Sequence, residues 1–211
     1  MTVTDARDEQ RQRVLDTAAA LFAEHGVDEV TMAEIAEGAD VARATVFNYF
    51  GSKPALVEAI TETVLDFYRA MLDDALADEA TPTPLLLRRL CDDMAKGIES
   101  QRSLYRGVFR EIARIELGLD AGEVAQRANE DAASRLLRLI ERGQERGELS
   151  TALPADALAS AFHSLTNGTL TNWLYQDPTR PLAARMRDAA EVFLSSIEVP
   201  SPRARPKGAR R

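Results

Sequence analysis

Two histidines, His25 and His163, and one cysteine, Cys91, are the whole stock of imidazole and thiol in the 211-residue chain. A multi-cysteine zinc site, a multi-histidine metal centre and an internal disulfide are therefore excluded. Phe22 and Ser160 stand three residues before the histidines, so the Glu-x-x-His pair of di-iron helical bundles is missing. The sequence also contains no G-x-G-x-x-G, G-x-x-x-x-G-K-[ST], H-E-x-x-H or G-x-S-x-G. No catalytic residue, metal or cofactor is expected. What remains is the chemistry of recognition. On a helix, Arg43, Ala44, Phe47 and Asn48 lie on the side opposite Val46 and Phe50, which are four residues apart and would be buried. Such a face suits the major groove of double-stranded DNA. Arg43 can reach a guanine edge or a phosphate, and Asn48 can pair with adenine through two bonds. Ala44 lets the backbone close on the duplex or touch a thymine methyl. Phe47 fits if it packs on deoxyribose. The hydroxyls of Thr31 and Thr45 and the cation of Lys53 are candidates for phosphate contact, and Tyr49 divides between packing and phosphate. Arg7, Arg11 and Arg13 lie where an N-terminal arm could meet the backbone.

These side chains need elements to carry them. Val14, Ala18, Leu21 and Phe22 recur at three- and four-residue steps and predict a helix from Arg7 to His25, stopped by Gly26. Thr31 and Glu34 form a T-x-x-E capping box that opens a short helix carrying Met32, Ile35 and Ala36, and Gly38-Ala39-Asp40 breaks it. A third short helix follows from Val41 to Phe50. Two short helices joined by a tight turn are the pattern of a helix-turn-helix. Beyond Ser52 the spacing predicts helices over Lys53–Ala80, Leu85–Ser100, Tyr105–Leu117, Gly122–Arg146, Pro154–Tyr175 and Pro181–Glu198. Strand-like alternation is nearly absent, so the fold class is all-α. Three units are expected: a three-helix head over residues 1–52, a helical body over 53–199, and a disordered basic tail over 200–211.

Formal net charge is −8, with 45% hydrophobic and 28% charged residues, the balance of an ordinary globular protein. No stretch approaches a membrane span and the first residues hold no apolar secretion core, so a cytoplasmic protein without a membrane partner is expected. In the first 53 residues ten carboxylates face five cations, which predicts a shallow salt dependence for any binding to DNA. The helix from Pro154 carries a large apolar face, Leu158, Phe162, Leu165, Thr169 and Trp173. A second face, Ala157, Ala161, Ser164, Gly168 and Thr171, is uniformly small. The last helix offers Leu182, Met186, Ala189, Phe193 and Ile197. One face more than a single core needs points to a second partner, although both stripes could also be core.

The segment from Thr31 to Leu56 resembles the DNA-binding head of the tetracycline-repressor (TetR) family, whose recurring pattern is I-A-x-x-A-G-V-S-x-x-T-x-Y-x-H-F-x-S-K-x-x-L. Ile35, Ala36, Val41, Thr45, Phe47, Tyr49, Phe50, Ser52, Lys53 and Leu56 fall at its positions, with Ala19, Leu21, Phe22, His25 and Gly26 upstream. Ala42 stands where the family usually has serine, and Phe47 where it usually has tyrosine. The resemblance implies a homodimer formed through the last two helices, a palindromic operator and a small, largely apolar effector. It also implies a pocket, for which Phe67, Tyr68, Met71, Cys91, Met94, Tyr105, Phe109, Phe162, His163 and Asn167 are candidates. Effector binding would then shift the Lys53–Ala80 helix and respace the two recognition helices. A repressor is the expected form. An activator of the same fold and a helical dimeric adaptor are the alternatives.

Overall fold

The computed structural model describes residues 3–100, 102, 105, 106, 109, 123–176 and 179–199, the side chains of 3–5 and 123–129 excepted. Most of the Tyr105–Leu117 helix and the basic tail fall outside the described residues. Eight helices are described: α1 (Val3–His25), α2 (Met32–Gly38), α3 (Arg43–Phe50), α4 (Lys53–Ala77), α5 (Thr83–Ser100), α6 (Glu123–Glu145), α7 (Ala155–Tyr175) and α8 (Leu182–Leu194). The fold class is all-α.

Local chemistry sets most of the boundaries. At the end of α1, Gly26 takes a φ of +88° and its N–H donates to the Phe22 carbonyl at 3.0 Å. That left-handed turn is the one glycine tolerates best. Thr31 caps α2 through the expected box: its Oγ1 accepts from the Glu34 N–H at 3.2 Å, while Glu34 Oε2 accepts from the Thr31 N–H at 2.7 Å. The backbone and hydroxyl donors of Thr31 hold the Glu34 carboxyl below its ordinary range. This cap is therefore intact above the usual carboxylate range and is lost as pH falls through the lowered value.

Two helices stop three or more residues short of the end that their periodicity predicts. α4 stops at Ala77 rather than Ala80 because the Asp78 carboxylate accepts from the N–H and hydroxyl of Thr81, at 3.0 and 2.9 Å. A local side-chain bond there replaces the helical ladder. α8 stops at Leu194 rather than Glu198 because the chain beyond it turns to pair with the loop after α6. Ser150 N–H donates to the Ile197 carbonyl at 2.7 Å, and Val199 N–H donates to the Glu148 carbonyl at 2.9 Å. Arg88 of α5 secures that corner with a fork onto Glu191 and a further bond to Glu198.

Two apolar cores result, and α4 serves both. In the head, Val14, Leu15, Ala18, Ala19, Phe22, Ile35, Ala36, Val46 and Phe50 pack against Leu56, Val57 and Ile60 from the first turns of α4. From Val64 onward α4 belongs to the body, with Leu72 and Ala75. There it packs with α5 to α8 around Leu86, Leu87, Leu136, Leu139, Phe162, Leu174, Met186 and Leu194. The far end of α4 is fastened as well: Arg142 of α6 donates to the carbonyls of Ala75 and Leu76 at 3.0 and 2.9 Å, and Arg146 donates to that of Glu79 at 3.0 Å.

α6 meets this core without room to spare at Gly143. A Cβ there would lie 2.7 Å from Leu149 Cδ1 and 2.9 Å from both Leu149 Cγ and Thr83 Cγ2. Gly143→Ala should therefore lower stability by about 1–3 kcal/mol despite alanine's better helix propensity. Urea unfolding checks this, with no loss expected if propensity governed.

Candidate functional site

α3 puts the candidate DNA-contact residues on the face that their spacing predicts. Val46 and Phe50 are buried beneath it, while Arg43, Ala44, Phe47 and Asn48 are exposed and Thr45 and Tyr49 are half-buried. The Arg43 guanidinium lies 5.6 Å from the centre of the Phe47 ring, one turn further on. Phe47, 40% exposed, is thus the platform on which the arginine rests. A cation held this way loses less conformational freedom on meeting an anion or a base edge. Before α3, Asp40 holds a φ of +52° in the turn, a conformation aspartate visits more readily than most residues. Ala42, at the N-cap, is extended and gives no side-chain cap.

Three candidates for phosphate contact have other work. Lys53 Nζ donates to the carbonyls of Val27, Asp28 and Val30 at 2.7, 3.1 and 3.0 Å, so all three of its N–H groups are spent inside the head. It ties the α1–α2 loop to the first turn of α4. The Tyr49 hydroxyl donates to Gln10 Oε1 at 2.8 Å, with the Arg7 carbonyl 3.3 Å away, so its proton is directed to α1 rather than outward. The Thr31 hydroxyl donates to Glu34 Oε2 at 2.8 Å within the capping box. Arg7 and Arg11 lie over the rings of Tyr49 and Phe50, at 5.9 and 5.1 Å, which brings two cations of α1 beside α3. A sequence reports that a lysine or tyrosine is present. It does not report which nearby carbonyl lacks a donor.

A second feature lies in the body. Between α4, α5 and α7 is an apolar cavity of about 60 Å³. Phe67, Tyr68, Met71, Met94, Tyr105, Phe109, His163 and Asn167, all candidates from the sequence, line it. Val64, Leu65, Ile98, Thr166 and Leu170, which were not anticipated, complete the wall. Each stands three or four residues from an anticipated member on the same helix, and that spacing was the available signal. Cys91 and Phe162 do not line it. Cys91 is fully buried in the core, where desolvation pushes its thiol up to about 12, and Phe162 stacks edge-to-face on Phe193 with centroids 5.1 Å apart. In the cavity wall, Asn167 Nδ2 and His163 Nε2 of α7 lie 3.0 Å apart, one helical turn from each other. Burial also pushes the Tyr105 phenol up to about 12. Phe67 sits at the rim, 43% exposed, with its ring so close to Gly97 that a Cβ there would lie 2.8 Å away.

Two substitutions test the head. Lys53→Met should cost about 1–3 kcal/mol of stability through the orphaned carbonyls. It should also leave the slope of log DNA affinity against log salt unchanged, where loss of a phosphate contact would flatten the slope by about 0.9. Ala42→Ser supplies the missing cap of α3 and should raise stability by about 1 kcal/mol in thermal unfolding.

Residues 14–60 match the family described as bacterial regulatory proteins, tetR family. Over 192 residues, spanning 90% of this chain and 93% of the relative, the sequence is 21% identical to an uncharacterized HTH-type transcriptional regulator, YfiR, of Bacillus subtilis (strain 168). The structure of SmeT, repressor of the Stenotrophomonas maltophilia multidrug efflux pump SmeDEF, superposes with a TM-score of 0.76 at 23% identity, over 93% of this chain and 96% of SmeT. FadR of Bacillus subtilis in complex with stearoyl-CoA gives 0.73 at 21% identity, over 89% and 99%. SmeT has also been solved with triclosan. The head thus matches the tetR family over residues 14–60, and the chain as a whole shares the helical fold of SmeT and FadR.

Proposed function

We propose that the protein is a homodimeric transcriptional repressor that leaves a palindromic operator when a small, largely apolar effector enters the cavity between α4, α5 and α7. The observation that carries this reading is the double membership of α4. Its first turns are part of the head core and its middle walls the cavity, through Val64, Leu65, Phe67, Tyr68 and Met71. A ligand that displaces the middle of α4 therefore moves the head, because the Lys53 clamp carries the α1–α2 loop with the helix. For release, the effector must bind the displaced state more tightly than the DNA-ready one.

On this reading Arg43, Ala44, Thr45, Phe47 and Asn48 meet the major groove, and Arg7 and Arg11 supply phosphate contact in place of Lys53 and Tyr49. Residues 1–52 carry recognition, and residues 53–199 carry the effector site and the dimer contact. The free space of about 60 Å³ is well below the roughly 300 Å³ of a typical small-molecule site, so the effector must widen it. The bound molecules of the structural relatives, triclosan in SmeT and stearoyl-CoA in FadR, support an apolar ligand class.

The dimer surface is revised in one respect. Leu182, Met186, Ala189, Phe193 and Ile197 of the last helical segment are buried in the chain's own core, so that stripe is not available to a partner. The small face of α7 is exposed at Ala157, Ala161, Ser164 and Gly168, and Val192 of α8 is 66% exposed beside it. That face lets two α7 helices approach closely, and a two-fold pair would place two heads on one duplex. An adaptor gives no reason for Arg43 and Asn48 to stand together on an exposed face.

Selection of bound duplexes from a random pool should return an inverted repeat, and an unrelated or absent consensus would refute the reading. On the selected site, Arg43→Ala and Asn48→Ala should each cost about 1–3 kcal/mol and relax sequence preference at one position of each half. A salt titration should give a shallow slope, set by the few cations of the head.

A further inference from the structure

We infer that the cavity takes an amphiphile with an oxyanion at one end, and that Arg102 and Trp173 bind that end. The inference rests on reading the cavity as the effector site and adds the chemical class of the ligand. Ile98, Tyr105 and Phe109 line the cavity, and Arg102 falls between them at steps of four and three in a stretch where Arg102, Tyr105 and Phe109 are helical. On α7, Thr166, Asn167 and Leu170 line it and Trp173 follows three residues later. The two side chains meet: the Arg102 guanidinium carbon lies 4.9 Å from the centre of the Trp173 ring.

Both bring a donor without an acceptor. Trp173 is 6% exposed, and among the described residues its Nε1 has no hydrogen-bond partner; the buried Nε of Arg102 has none either. Other arginines of the body have oxygen partners: Arg88 on Glu191 and Glu198, Arg135 on Asp73 and Asp131, and Arg142, whose Nε also lacks a partner, on two carbonyls through its other nitrogens. None of the described residues that line the cavity is a carboxylate. Two N–H groups, one of them cationic, thus stand one helical step beyond lining residues of the cavity, with no acceptor among the described residues. Buried donors in this state are costly, and an anionic oxygen satisfies both at once with a charge-assisted bond. A neutral apolar ligand would fill the cavity and leave them unanswered. A cationic one would be repelled by Arg102. The apolar chain of the ligand would lie among Met71, Met94, Phe109 and Leu170, entering past Phe67 at the rim.

Trp173 is the only tryptophan of the chain, so its emission reports directly on the site. The full chain is titrated with decanoate, decanol and decyltrimethylammonium, with operator release followed in parallel. Decanoate should bind at least about tenfold more tightly than decanol, the contribution of one charged hydrogen bond, with the ammonium weakest. Arg102→Met should erase the preference while decanol affinity holds, and Arg102→Lys, which keeps the charge, should retain part of it. Equal binding of decanoate and decanol, no binding of decanoate, or a preference that survives Arg102→Met overturns the inference. If Arg102→Met does not fold, the ranking of the three probes on the parent chain decides alone. Equal release of DNA by decanoate and decanol would sink the oxyanion site and leave the regulator standing. Preferential binding of decanoate without release would do the reverse.

Discussion

One ammonium group joins the parts of this molecule. Lys53 begins α4 and gives its three protons to carbonyls in the loop between α1 and α2. That loop has a left-handed glycine at one end and a capping box at the other, so its carbonyls are not consumed by helical bonding. A flexible point charge with three donors suits three convergent oxygens, which a planar guanidinium would not match as well. The bonds fix the direction in which α4 leaves the head, and every apolar contact from Leu56 to Ile60 depends on that direction.

The opposite end of α4 is held by a different chemistry for a related reason. Arg142 and Arg146 cover carbonyls at and beyond its C-terminus, groups that a helix cannot satisfy internally. Burial lowers the Arg142 pKa and the neighbouring Arg146 lowers it further, while Glu148, Glu79 and Asp78 act the other way. α4 is a rod fastened at both ends and lined in its middle by the cavity.

Much of this was legible in the sequence. Helices with a regular apolar step appear as expected, and the exposed face of α3 follows from the four-residue interval between Val46 and Phe50. Turns were legible where one residue dictates the backbone, as at Gly26 and Thr31. Periodicity failed where polar groups outbid the helical ladder, at Asp78 and in the pairing of Ile197 to Val199 with Glu148 to Ser150. In the site, residue types were legible and their partners were not. Lys53 and Tyr49 carry groups that a duplex would accept, yet each finds an acceptor within the head. Cys91 and Phe162 sit one helical step from the cavity wall, and a step of that size is decided by how two helices rotate against each other.

The sharing of α4 between two cores has a bearing on how such proteins diversify. Leu56, Val57 and Ile60 complete the packing beneath α3, so a head cut after Gly51 would expose the underside of its own core. An exchange of heads between relatives must carry the first two turns of α4 as well. The crossover that preserves both packings falls between Ile60 and Val64, inside an unbroken helix rather than in a loop.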